Sequence, residues 1–278
     1  MPLEKVTDHI LAETSGENGG NMGVVILNDQ VVIIDSGMFH QKTKEIRIEL
    51  EEYELPIRNL ILTHAHSDHV FGAQAFDTAS IISSEGTRDY CVKNLEDQWD
   101  RNRLVEYAES VKAERPELFE AMQDLKIRIP DVVFKRHLSV GPDMELRIEH
   151  VGGHTAGSTI VAVPSERISF VGDLIFNGSF PYAADPTCDP ERWIMALEKV
   201  LAGRYDLIIP GHGPACGDEQ VKYHIDFLEI FRDRVIEASD KGMTPNDFIE
   251  AGLVPKMDLE KADQRVETAV THFFKYYG

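Results

Sequence analysis

Short aliphatic runs bounded by turn residues recur along this chain and predict buried β-strands. Val6 to Ala12 predicts the first strand, followed by the loop Gly16-Glu17-Asn18-Gly19-Gly20-Asn21. Met22 to Leu27 and Val31 to Ile34 predict a hairpin around Asn28-Asp29. A helical pattern over Gln41 to Leu50 leads to a strand at Asn59 to Leu62, a short helix near Val70 to Phe76 and a strand at Ser80 to Ile82. Strands resume at Val132 to Phe134, His137 to Val140 and Met144 to Val151. Thr159 to Val163 and Ile168 to Val171, joined by Pro164-Ser165-Glu166-Arg167, predict a second hairpin. Glu191 to Leu201 predicts a helix with Pro190 in its first turn, and Leu207 to Ile209 a short buried strand. Strands followed by a helix thus repeat coarsely in each half.

Residues 85–128 break this rhythm. They are charge-rich and helical in pattern, with Leu104, Ala108 and Val111 on one stripe and Leu118, Met122 and Leu125 on another, separated at Pro116. Such an insertion is either a solvated helical excursion or a wall over a binding site, with Trp99, Tyr107 and Phe119 as its apolar members. From Asp218 onward the pattern is helical again: Val221, Ile225, Leu228 and Val235 share one face, and Leu259, Ala262, Val266 and Phe273 another. The terminal face, ending Phe273-Phe274-Lys275-Tyr276-Tyr277, suits docking on its own domain or on a second copy, so a homodimer stays open.

Composition narrows the partners more than the fold. At 278 residues the chain can bury about three quarters of its unfolded surface. A formal charge of -20 argues against a nucleic-acid surface and against an anionic membrane. Cys91, Cys188 and Cys216 are scattered without paired spacing, which fits a reducing compartment. No apolar run approaches membrane-spanning length, and Met1-Pro2-Leu3-Glu4-Lys5 does not open a signal peptide, so a cytoplasmic protein acting on a small molecule is expected.

The candidate chemistry follows the strand-like run Leu60-Ile61-Leu62. His64 and His66 stand two residues apart, so an extended chain puts their imidazoles on one side. Asp68 and His69 stand where the next helix starts, with Asp68 suited to a cap. Three imidazoles and a carboxylate crowded between His64 and His69 call for a cation among them, and this mix of nitrogen and oxygen suits zinc, iron or manganese. A histidine-rich surface loop would account for this cluster alone. It does not account for Gly152-Gly153-His154, Val171-Gly172-Asp173 and Pro210-Gly211-His212-Gly213, each of which adds a candidate ligand after an apolar run. A metal site is therefore expected.

On the run His64-x-His66-x-Asp68-His69 and these three later pieces, the chain resembles the metallo-β-lactamase fold superfamily of metallohydrolases, over roughly residues 6 to 218. The resemblance implies an α/β (α+β) fold, a four-layer αββα sandwich of two mixed β-sheets with helices outside. It implies such a domain over 1–218, carrying the helical insertion 85–128, with a helical extension over 219–278 packed on it. It also implies that His64, His66 and His154 hold one metal, that Asp68, His69 and His212 hold a second, and that Asp173 bridges them. Asp35 matches the family's early structural aspartate. Two cations about 3.5–4 Å apart can share a water and lower its pKa toward neutrality. The expected activity is then a metal-bridged hydroxide attacking a small ester, thioester or lactone, with two divalent ions, zinc foremost, as cofactors and Asp68 orienting the hydroxide or passing its proton.

Within the family, the retained Asp173 argues against penicillin hydrolysis, since the antibiotic-hydrolysing branch generally lacks the bridging aspartate. The acidic tail lacks the basic positions with which glyoxalase II-like thioesterases grip glutathione, and the pattern looks closest to the general zinc hydrolases. Two other readings stay open: an iron-dependent persulfide dioxygenase with one metal, and a silent scaffold whose metal only holds loops together. Among the remaining residues, His9, His40, His137, His150, His224 and His272 are expected to be structural, as is Cys216 despite its closeness to His212. Asn177 and Tyr182 follow Asp173 closely enough to line a cleft.

Overall fold

Alternation decides the layering. In β4 (Val31–Ile34), Val31 and Ile33 point to one apolar cluster while Val32 and Ile34 point to another, and all four side chains are buried. A strand apolar on both faces needs cover on both faces. The computed structural model, which describes residues 3–256 and 265–278, provides it with four layers.

The first sheet holds β1 (Glu4–Lys5), β2 (Ile10–Glu13), β3 (Met22–Ile26), β4, β5 (Ile57–Ile61), β6 (Ser80–Ser84) and β7 (Val132–Phe134) in that spatial order. Its β1 to β4 pairs are antiparallel and its β4 to β7 pairs parallel. The expected strand Val6 to Ala12 is broken: Val6 and Thr7 both donate their amides to Ile10 O, so Glu4 folds back opposite Ala12. The second sheet runs β12 (Leu207–His212), β11 (Ile168–Phe176), β10 (Thr159–Val163), β9 (Leu146–His150) and β8 (His137–Val140), with only β11 and β12 parallel. Val25, Val32, Ile61, Ile148, Val161 and Phe170 interleave between the sheets. The chain is thus a two-sheet α/β sandwich with helices outside.

Outside the first sheet lie α1 (His40–Glu49), α2 (Ser67–Val70) with the 3-10 turn Phe71–Phe76, and the insertion helices α3 (Glu85–Leu95), α4 (Arg101–Ser110) and α5 (Pro116–Gln123). Pro116 opens α5, where its missing N–H costs nothing. Ala108, Leu118, Met122 and Leu125 bury as their stripes predict, while Tyr107 is exposed. His40 anchors the insertion, its Nε2 lying 3.2 Å from Ala121 O.

Outside the second sheet lie α6 (Pro190–Gly203), α7 (Asp218–Asp240), α8 (Pro245–Glu250) and α9 (Arg265–Tyr277). Asp189 caps α6 through the amide of Arg192, and Trp193, Leu197 and Val200 bury its inner face. Phe273 of α9 stacks on Phe231 of α7, ring centroids 4.2 Å apart, so the terminal apolar face docks on its own chain. Burying each such side chain contributes about 1.5–3 kcal/mol relative to leaving it exposed. Val266 packs against the same cluster; Leu259 and Ala262 lie outside the described residues.

Candidate metal centre

β5 ends at Ile61, and the chain after it runs over the sheet edge before α2 begins. His66 holds the position before α2, and Asp68 lies within its first turn rather than capping it. The carboxylate of Asp68 turns instead toward His212, Oδ2 to Nε2 3.3 Å. On the second sheet, Asp173 sits inside β11, where the register with β12 slips between Gly172 and Phe176, and His212 closes β12. His154 follows β9 through Gly153, whose φ of +102 suits glycine and where a Cβ would stand 2.7 Å from Trp193 Cα.

All seven candidate ligands converge. His64 Nε2 and His154 Nε2 lie 3.1 and 3.0 Å from His66 Nδ1, and each lies 3.5 Å from Asp173 Oδ2. The other Asp173 oxygen, Oδ1, is 3.0 Å from His69 Nε2 and 3.4 Å from His212 Nε2. The donors therefore form two clusters, His64, His66, His154 and Asp173 in one, Asp68, His69 and His212 in the other. Ligands about 2.05 Å from a tetrahedral zinc stand about 3.3 Å apart, which matches these spacings. His69 Nε2 and Asp173 Oδ1 are buried and 3.0 Å apart, yet neither is aligned for a hydrogen bond. Two buried polar atoms left without hydrogen-bond partners among the described residues, at these ligand spacings, fit divalent cations.

The far side of each ring sets which nitrogen is bare. Asp35 Oδ2 accepts from His69 Nδ1 at 2.9 Å and from Thr63 Oγ1 at 2.7 Å, while Oδ1 accepts from the Thr63 amide at 2.8 Å. Thr63 Oγ1, having given its proton to Asp35, can only accept from His64 Nδ1 at 3.0 Å. Both rings thus keep Nε2 free for metal. His66 is reversed: Nδ1 faces the cluster, and Nε2 lies 3.1 Å from the buried carboxylate of Asp185. His154 is held by packing, edge-on to Trp193 with centroids 5.1 Å apart, and His212 stacks on Phe176 at 5.1 Å and 9°. Nothing in the local sequence around Asp185 marks it as a partner of His66. Asn21 is a second residue the sequence did not disclose: its side chain donates to Pro210 O and Gly213 O, tying the first sheet to the His212 loop.

Charge follows this geometry. Burial resists ionisation of Asp68 and Asp173, but the surrounding imidazoles outweigh it and hold both carboxyls well below their usual range. Burial equally opposes protonation of His66 and His212, yet Asp173 and Asp185 raise the first to about 9, and Asp173 and Asp68 raise the second to about 9. His69 is raised against burial by Asp173, Asp35 and Asp68. His64 is pushed down by burial and by His69, and His154 is pushed well down by burial.

Above the clusters opens a cleft of about 380 Å³ walled by Tyr90, Gln98, Trp99, Phe176, Tyr182 and Arg265. The insertion contributes Tyr90, Gln98 and Trp99, whereas Tyr107 and Phe119 do not reach the cleft. Asn177 is tied to Pro214 O at 2.8 Å and also stands outside it. Cys216 pairs with Ile208 through backbone hydrogen bonds, and burial pushes its thiol up to about 12, so it is a packed neutral side chain. His40, His150, His224 and His272 all bond backbone carbonyls away from the clusters.

A helix-flanked double sheet that gathers histidines and carboxylates at one common edge defines the αββα metal-binding class. The chain belongs to the metallo-beta-lactamase superfamily, whose family model matches residues 15–212. Proteins of this superfamily are generally metal-dependent hydrolases. The chain is 20% identical over 254 residues to the linear primary-alkylsulfatase of Pseudomonas sp., covering 81% of this chain and 48% of that protein. It thus spans about half the length of that relative. It is 26% identical over 200 residues to the hydroxyacylglutathione hydrolase GloC of Haemophilus influenzae, covering 70% of this chain and 86% of that one. Among solved structures, the stereoselective inverting sec-alkylsulfatase Pisa1 from Pseudomonas sp. superposes with a TM-score of 0.72 at 16% identity, over 99% of this chain and 50% of that chain.

Proposed function

We propose that the protein is a hydrolase that uses two divalent cations, zinc foremost, on a small ester, thioester or lactone. The observation behind this reading is Asp173, which offers Oδ2 to one donor cluster and Oδ1 to the other at the floor of the cleft. His64, His66 and His154 would hold one cation, and Asp68, His69 and His212 the other. Bound there, the cations would supply Lewis acidity and lower the pKa of a water toward neutrality.

The chain's own groups do the rest. Asp68, whose side chain is 26% exposed, borders the cleft, where its carboxylate can take the proton of the attacking water and return it to the leaving group. Tyr182 is kept protonated by burial and by Asp185, and its ring stands 5.5 Å from His66, so its hydroxyl can donate to a developing oxyanion. Trp99, Tyr90 and Phe176 offer apolar surface to an acyl group. A similarity to a hydrolase of hydroxyacylglutathione supports the thioester within this range. The three unpaired cysteines fit a reducing, cytoplasmic setting.

The test is metal analysis of the purified protein combined with a panel of acyl thioesters, esters and lactones. Two zinc equivalents per chain with acyl hydrolysis support the proposal. A fully metallated protein silent on the whole panel overturns it, as does one iron per chain with oxygen consumption on a persulfide.

A further inference from the structure

Among the histidines of the centre, His66 alone turns Nδ1 toward the donors, which sends its Nε2 outward, beyond the reach of Asp35 and Thr63. Asp185 meets it there. Its side chain is fully buried, and Oδ2 lies 3.1 Å from His66 Nε2. The other oxygen, Oδ1, accepts from the Thr187 amide at 2.7 Å and from Thr187 Oγ1 at 2.5 Å. Thr187 Oγ1 in turn accepts from the amide of Ala156, two residues beyond His154. A carboxylate with both oxygens engaged and no solvent contact is neither a free ligand nor a substrate-binding group.

We propose that Asp185 is the positioning residue of the first cation site: it accepts a hydrogen bond from His66 Nε2–H, leaves Nδ1 bare and holds the ring in register with His64 and His154. The inference rests on the reading of the two clusters as cation sites. A neutral imidazole has one donor and one acceptor nitrogen, so an acceptor fixed at Nε2 decides the tautomer. An anionic acceptor also makes the opposite nitrogen a better donor to a metal. Through Thr187 the same carboxylate ties His66 to the loop that carries His154, so one element sets two ligands of the same cluster. Asp35 does the corresponding work for His69 directly and for His64 through Thr63, and Asp185 supplies what Asp35 cannot reach.

The test compares the protein with Asp185→Ala, Asp185→Asn and Thr187→Val by competition with a chromogenic chelator for zinc, and by the visible spectrum of the cobalt-loaded protein. Asp185→Ala is expected to weaken one of the two cation equivalents about 10–100-fold and leave the other unchanged. Asp185→Asn keeps an acceptor for Nε2–H and should recover part of that loss. Thr187→Val, which frees the carboxylate, should lose less than Asp185→Ala. In ¹⁵N spectra of the metal-free protein recorded near pH 10, where the ring is neutral, His66 should carry its proton on Nε2 in the parent and show a mixture of tautomers in Asp185→Ala. Unchanged affinity for both equivalents in folded Asp185→Ala would overturn the assignment. So would an equal loss at both sites accompanied by a lower Tm, the mark of a packing role. If the parent itself takes up no pair of cations, the underlying reading fails along with this one.

Discussion

On the first sheet the donors are packed between His64 and His69, on the loop after β5 and the short helix α2, and polar groups hold them: Asp35 and Thr63 behind His64 and His69. On the second sheet the donors come from three separate places, the loop after β9 for His154, the interior of β11 for Asp173 and the end of β12 for His212, and shape holds them. His154 lies edge-on to Trp193, His212 stacks on Phe176, and glycines stand where a side chain would collide. Among the described residues His154 Nδ1 has no hydrogen-bond partner, the counterpart of the well-bonded rings opposite. One half is therefore tuned by hydrogen bonds and the other by close packing, and each should fail in its own way.

Asp173, where the two halves meet, should give the largest effect. Asp173→Ala is expected to cost at least one metal equivalent and on the order of 10³-fold in turnover, read by metal analysis and steady-state rates. Unchanged rates with one bound metal would break the bridging role. Next comes Gly211→Ala. A Cβ there would stand 1.9 Å from Asp173 Oδ1, so the packed half should lose metal and about 1–3 kcal/mol of stability together, read by metal content and Tm. Loss of neither would show that this edge yields easily.

Asp35→Ala tests the polar half. It strips partners from the Thr63 amide and from His69 Nδ1, so zinc affinity should fall about 10–100-fold, with the fold retained in circular dichroism. A smaller effect is expected from Trp193→Phe, which deletes the hydrogen bond from Nε1 to Leu174 O. It should cost about 1–3 kcal/mol in denaturant while moving zinc affinity less than Asp35→Ala does. A reversed ranking of these two would collapse the contrast between the halves.

The smallest signal is the pH dependence of the metal-free protein. His66 and His212 are raised to about 9, so their stabilisation is present below about 6.5 and lost as pH rises through about 9. Metal-free Tm should fall over that window, and zinc addition at pH 7.5 should release protons that are no longer released near pH 10. A flat profile would show that the carboxylates do not hold these protons.

Much of this was legible in one dimension. The aliphatic runs at Val31, Leu60 and Ile208 announce strands because a short apolar run bounded by turn residues is a local property of the chain. The run from His64 to His69 likewise announces metal chemistry, since its donors are neighbours already. Less legible were ends and bends. β11 runs on to Phe176, so Asp173 stands within a strand rather than after one, and the first expected strand breaks at Val6 and Thr7. Of the insertion's aromatics, only Trp99 and Tyr90 reach the cleft, because which helix face turns inward depends on what it packs against.

What the sequence determined by itself was chemistry and layering: residue types able to hold a cation, and strands apolar on both faces that demand cover on both. What tertiary structure alone decided was which distant residue stands behind which ring. Asp185 is 119 positions from His66 and Asn21 is 189 from Pro210, and no periodicity connects them. A hydrogen bond across such a separation exists only after two packed sheets have brought its ends together, since the chain between them carries no information about their distance.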